Sequence, residues 1–159
     1  MGFKFEKVSE QEFTRATNGA GCYSEVKLPK RATAGSAGYD FFTPVTGTLW
    51  SGDTAVIPTG IKCKLEPGTV LQIYPRSSWG IKRGIQLANS VGIIDADYYN
   101  NESNEGHIMI ALKNTSHTNR EIKSGDAIAQ GIVMRFEVAD DDDTTAERTG
   151  GIGSTDGAK

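Results

Sequence analysis

Two carboxylates one residue apart, delivered by an apolar run, are the most informative chemical feature of this chain. In Asn89-Ser90-Val91-Gly92-Ile93-Ile94-Asp95-Ala96-Asp97-Tyr98-Tyr99, Asp95 and Asp97 would share a face of an extended backbone, because alternate side chains of a strand point the same way. Such a pair can activate a water as general base or help hold a hydrated Mg2+. The same string also suits a strand end closed by an Asx turn. Asn89 and the small Gly92 leave room for a planar base to meet the backbone.

Four further strings carry polar groups in places where a ligand could use them. Tyr74-Pro75-Arg76-Ser77-Ser78-Trp79-Gly80 breaks an apolar strand with proline, then offers an Arg and two hydroxyls in a turn. Its exposed N–H groups and guanidinium fit phosphate oxygens, or it is a polar surface turn. The P-loop spacing is absent throughout. The tail Arg148-Thr149-Gly150-Gly151-Ile152-Gly153-Ser154-Thr155 combines glycines that allow close backbone approach with a cation and hydroxyl donors. Those are parts of a phosphate cradle, or of a solubilising terminus. Ala37-Gly38-Tyr39-Asp40-Phe41-Phe42 sets one Asp among aromatics at a strand start, and Ser124-Gly125-Asp126-Ala127-Ile128-Ala129-Gln130 runs from a turn into a strand, with Gln130 its obvious ligand-facing group. His107 and His117 have no partner at metal spacing and no nearby Ser or Cys nucleophile, which leaves a triad unsupported and marks both as surface or loop residues.

The elements that must position these groups read as short strands. Ile61, Cys63 and Leu65 alternate with two lysines at period two, Pro67-Gly68 turns the chain, and Val70 to Tyr74 resumes an extended run, which together read as a hairpin. Ala55–Ile57, Ile81–Leu87, His107–Leu112, Glu121–Lys123 and Ile128–Phe136 are further strand candidates. Apolar residues never hold helical spacing for three turns, so Ser9 to Arg15 provides at most one or two turns. The expected architecture is all-β, a sandwich, barrel or jelly roll.

Composition narrows the function classes. At 159 residues the chain is one domain's length, with the acidic run Asp140–Asp143 and the Gly-rich tail too polar to build a core of their own. The expected division is a β domain over residues 1–138 and a flexible arm over 139–159. A net charge of −3 without a basic stripe argues against polymeric nucleic acid. The N-terminal string Met1-Gly2-Phe3-Lys4-Phe5-Glu6 lacks a signal-peptide core, and no run is long enough to span a bilayer. Cys22 and Cys63 form no metal or disulfide pattern, so a reducing cytoplasm is the expected location.

Taken in order, AGYD, PRSS, NSVGIIDADYY, SGDAIAQ and RTGGIGST resemble the five motifs of the homotrimeric dUTPase family, over residues 37 to 155. The continuation DYYNNESNEGH resembles members from Gram-positive bacteria or their phages. The resemblance implies a distorted jelly-roll subunit, a homotrimer with active sites at subunit interfaces, and a C-terminal arm that closes over a neighbour's site. It implies hydrolysis of dUTP to dUMP and pyrophosphate by attack of water at the α-phosphorus. In that frame Asp95 is the general base and Tyr98 packs on the deoxyribose, excluding a 2′-hydroxyl. Asn89, Gly92, Ile93 and Ile94 read the uracil edge. Arg76, Ser77, Ser78 and Gln130 hold phosphates from the core, while Arg148, Ile152, Gly153, Ser154 and Thr155 reach over from the arm. Mg2+ rides on the phosphates, and Asp40 touches it through water.

Three positions depart from the family pattern. Ile152 stands where an aromatic usually stacks on uracil, and an isoleucine covers a base without stacking. Ala127 and Tyr99 stand where Arg is common. Two rival readings share the fold: a dCTP deaminase, which needs an acid where Ala111 stands in Ile108-Met109-Ile110-Ala111-Leu112-Lys113-Asn114, and a regulatory protein that binds a repressor through the loop Asn100 to Gly106.

Overall fold

The period-two alternation around Ile61 builds a half-buried strand in the computed structural model, which describes residues 2–146, 148 and 150. Ile61 and Cys63 are buried while Lys64 is exposed. The strands in chain order are β1 (Lys4–Lys7), β2 (Lys30–Arg31), β3 (Tyr39–Phe42), β4 (Gly47–Leu49), β5 (Thr54–Pro58) and β6 (Ile61–Lys64). They continue with β7 (Thr69–Pro75), β8 (Ile85–Leu87), β9 (Gly92–Ile94), β10 (Met109–Asn114), β11 (Arg120–Ile122) and β12 (Ala127–Arg135). Among the described residues one α-helix, α1 (Glu10–Thr17), starts where Ser9 accepts a 3.1 Å hydrogen bond from the Glu12 amide and stops at Asn18, whose left-handed backbone closes the last turn. Sequence-based expectation placed one or two turns here, and the two turns observed bury Phe13 against the strands.

All pairings are antiparallel, in sheets ordered β2-β3-β12-β7-β9, β5-β10-β8, β1-β6 and β4-β11. The result is a distorted jelly roll of mostly short strands. The expected hairpin between Ile61–Leu65 and Val70–Tyr74 does not form. The Glu66–Thr69 turn closes with a 3.1 Å backbone bond, but β6 pairs with β1 and β7 with β12 and β9. A turn therefore passes the chain from one sheet to another, which only the partners' positions decide. The run Ile81–Leu87 is also not one strand. Its first half lies in a π-helical turn, Ser78–Lys82, which sends Trp79 into the core and leaves Ile81 exposed; only Ile85–Leu87 pairs.

The nine-residue β12 runs through the middle of the five-stranded sheet and gives it two unlike faces. Phe41, Leu71, Ile73 and Ala129 are buried on one face, each such side chain contributing roughly 1.5–3 kcal/mol when apolar and large. Gly131 lies among them, where an added Cβ would sit 2.7 Å from the Phe41 ring and 2.9 Å from Leu71. Partners directly opposite on paired strands share a face, so Asp40, Gln130 and Tyr74, which pair across β3, β12 and β7, line up on the other. Among the described residues no helix is long and apolar enough to cross a membrane.

Candidate active site

The described residues of the five strings gather around two cavities of one chain. The first, about 260 Å3, is lined by Asn89, Gly92, Ile93, Ile94, Asp95 and Tyr98 from the central string, with Ile110 and Ala111 of β10 behind them. β9 forms one wall. It is the last strand of its sheet and pairs only with β7 among the described residues, so one edge of its backbone keeps free N–H and C=O groups. Gly92 lies opposite Ile73, and a Cβ there would approach the Ile73 Cβ to 3.1 Å and the Asn89 amide nitrogen to 3.8 Å. Glycine keeps that wall flat.

Asp95 does not continue the strand. Its extended backbone caps the 3-10 turn Ala96–Tyr98, so the expectation that Asp95 and Asp97 share a strand face gives way to a turn. The turn's 3.2 Å bond from the Tyr98 amide to the Asp95 carbonyl brings carboxylate and ring to the same cavity. Arg148 ties the two carboxylates together, its Nη2 donating to Asp95 Oδ2 at 2.7 Å and its Nε to Asp97 Oδ1 at 2.8 Å. Its guanidinium also lies 5.7 Å from the Tyr98 ring centroid, within cation–π range. Arg148 thus meets the carboxylates of its own chain.

Tyr98 is buried, and its hydroxyl donates to the His107 carbonyl at 2.9 Å. Loss of solvent around the ring pushes the phenol upward, so it stays protonated at neutral pH. The expectation for His107 as a surface or loop residue needs correction. It follows a loop but is wholly buried, with Nε2 accepting from the Gly60 amide at 2.7 Å and Nδ1 3.0 Å from Glu12 Oε1. Desolvation lowers its affinity for a second proton. The contact with Glu12 is therefore a neutral imidazole N–H donating to a carboxylate. His117 is exposed as expected.

The second cavity, about 330 Å3, collects Gly38, Asp40, Arg76, Ser77, Ser78 and Gln130. Arg76 Nε lies 3.0 Å from Asp40 Oδ1, and Gln130 Nε2 donates to the Pro75 carbonyl at 3.1 Å. Three strings separated in sequence meet because β12 pairs with both β3 and β7. Gly38 was not singled out in the sequence, yet a Cβ there would fall 2.6 Å from Gln130 Oε1. Its signal was the glycine before Tyr39-Asp40. Ile152, Gly153, Ser154 and Thr155 lie outside the described residues.

The dUTPase family model matches residues 24–156, which include all five strings. The deoxyuridine 5′-triphosphate nucleotidohydrolase of Lactococcus lactis is 46% identical over 132 residues, covering 82% of this chain and 88% of its own length. The chain belongs to the dUTPase family. The enzyme of the same name from Hahella chejuensis is 39% identical over 142 residues, 83% of this chain and 88% of its own. Among solved structures, the Streptococcus mutans dUTPase superposes with a TM-score of 0.73 at 37% identity, covering 86% of this chain and 98% of the other. The dUTPase of phage phi11 of S. aureus gives 0.70 at 20% identity, with coverages of 92% and 97%, a likeness of fold.

Proposed function

We propose that this dUTPase-family chain hydrolyses dUTP to dUMP and pyrophosphate by Mg2+-dependent attack of water on the α-phosphorus. The observation that carries this reading is the division of labour between cavities. One offers an edge-strand backbone, an amide, a ring and a carboxylate, the other an Arg, two hydroxyls and a Gln amide. Those are the needs of a nucleoside and of a polyphosphate.

Asn89 and the free edge of β9, through Gly92, Ile93 and Ile94, read the uracil edge and leave the cytosine amino group unpaired. Tyr98 packs on the sugar. Asp95 orients the water and takes its proton as the new bond to the α-phosphorus forms; the bond to the bridging oxygen breaks and pyrophosphate leaves. Substrate entry requires Arg148 to leave Asp95 Oδ2 and turn to phosphate. The dCTP-deaminase alternative lacks its acid, since small, apolar Ala111 lines the cavity.

That no residue lines both cavities accords with sites completed by a neighbouring subunit, in a homotrimer whose 139–159 arm, with Ile152, Gly153, Ser154 and Thr155, closes over the nucleotide. Among the described residues no three His, Cys, Asp or Glu side chains form a metal cage. Asp40 beside the Ser77 and Ser78 hydroxyls suits Mg2+ carried mainly by phosphate and water, a cation reluctant to shed its hydration. Bound there, the ion would neutralise phosphate charge, with Asp40 meeting it through water. Pyrophosphate release from dUTP, dCTP, dTTP and UTP, with Mg2+ or with EDTA, tests the proposal. Release from dUTP alone, abolished by EDTA, is expected; release from none of the four overturns it.

A further inference from the structure

Tyr98 is held at its hydroxyl by a loop that none of the shared motifs includes. Besides donating to His107, that hydroxyl accepts a 2.8 Å hydrogen bond from Asn104 Nδ2. Asn104 is 9% exposed, and its Oδ1 accepts from Asn101 Nδ2 at 2.7 Å and from the Gly106 amide at 3.1 Å. Asn101 in turn donates to the Tyr98 carbonyl at 2.9 Å, while its Oδ1 accepts from the Ser103 and Asn104 amides. The loop therefore grips Tyr98 at both ends, backbone and hydroxyl.

The backbone of the loop is built for that grip. Asn100, Glu105 and Gly106 all have positive φ, and a Cβ at Gly106 would come within 2.6 Å of the Tyr98 carbonyl oxygen. The Asn100 amide donates to the Glu105 carbonyl at 3.0 Å, closing the loop on itself. Glu105 pins its outer side to the start of α1 and to β6, accepting from the Ser9 amide at 3.0 Å and lying 3.3 Å from Lys62 Nζ. A buried phenol needs partners for its hydroxyl, and here the loop supplies one of them, Asn104, and the residue that follows the loop, His107, the other.

We propose that the Asn100–Gly106 loop is a mount that fixes the Tyr98 ring against the sugar site, with Asn104 as a positioning residue that sets deoxyribose-over-ribose selectivity without touching the nucleotide. The inference rests on the reading of Tyr98 as the sugar-packing ring. A ring fixed at its hydroxyl cannot tilt to admit a 2′-hydroxyl; a ring freed at that end can. The affected quantity is the ratio of kcat/KM for dUTP to that for UTP, which cancels any inactive fraction of a preparation.

The test compares the full chain with Asn104→Ala, Tyr98→Phe, their double variant and Tyr98→Ala, by pyrophosphate release from dUTP and UTP. Loss of one such hydrogen bond should lower the dUTP:UTP ratio about five- to tenfold in Asn104→Ala. Tyr98→Phe, which also loses the bond to the His107 carbonyl, should show at least as large a drop, and the double variant little more than Tyr98→Phe, because the Asn104 bond is already absent from it. An unchanged ratio in Asn104→Ala overturns the proposal. If that variant does not fold, Tyr98→Phe decides, because it frees the ring and leaves the loop intact; its unchanged ratio is equally fatal. Tyr98→Ala separates the two levels: a ratio it leaves untouched removes Tyr98 from the sugar site altogether, whereas a collapsed ratio beside an unchanged Asn104→Ala removes only the mount.

Discussion

Acidification from pH 7.5 to 5 should weaken this fold through His107. Its Nε2 accepts from the Gly60 amide at 2.7 Å, so that nitrogen carries no proton, and a proton placed there would meet an N–H. Burial is the largest influence and lowers the pKa, with Arg15 adding to it; the Glu12 and Glu105 carboxylates oppose it without reversing the shift. The unfolded chain binds the proton near the ordinary value of about 6.5, while the folded chain resists. The stability is thus fully present above that value and declines as pH falls from it toward the depressed folded value. The slope is at most about 1.4 kcal/mol per pH unit, and by pH 5 the loss reaches at most about 2 kcal/mol. Urea midpoints across the range, at one fixed protein concentration because assembly would shift them, measure it. His107→Gln keeps a donor and an acceptor but has no proton to gain, so its profile should be flatter by that amount. Parallel profiles for the two proteins would refute the reasoning.

Three further outcomes are expected. Asp95→Asn should cut hydrolysis by at least about a hundredfold, the ordinary worth of a positioned base, while dUTP binding measured by calorimetry persists; an active variant would remove Asp95 from that role. Truncation before Arg148 should leave the melting temperature nearly unchanged and cripple kcat if, as proposed, the removed segment contacts the phosphates; a truncated chain that unfolds on purification would make the tail structural instead. Gly131→Ala puts its methyl 2.7 Å from the Phe41 ring and 2.9 Å from Leu71, which should cost about 1–3 kcal/mol by overpacking. An unmoved urea midpoint would show that the ring gives way freely.

Features encoded by near neighbours were legible from the chain. The stretch Ser9 to Arg15 was legible as one or two helical turns, and the Ile61/Cys63 alternation marked a strand face, because each depends on residues only a few positions away. AGYD, PRSS, NSVGIIDADYY and SGDAIAQ were legible in the same way, since each is a local turn or strand end with residues that line one of the two cavities. Reading Asp95 and Asp97 as one strand face failed because the chain turns at Asp95, a choice made where Tyr98 finds its buried partners.

By itself, the sequence determined an all-β chain of short strands, the family, and the polar groups that gather at the two cavities. Tertiary structure alone decided that β6 and β7 leave one turn for different sheets, because their partners β1 and β12 come from opposite ends of the chain. It also decided that His107 is buried: its ring nitrogens are satisfied by Gly60 and Glu12, 47 and 95 residues away. A buried polar group is tolerated only where its hydrogen bonds are met, and partners so distant leave no mark beside the residue that needs them.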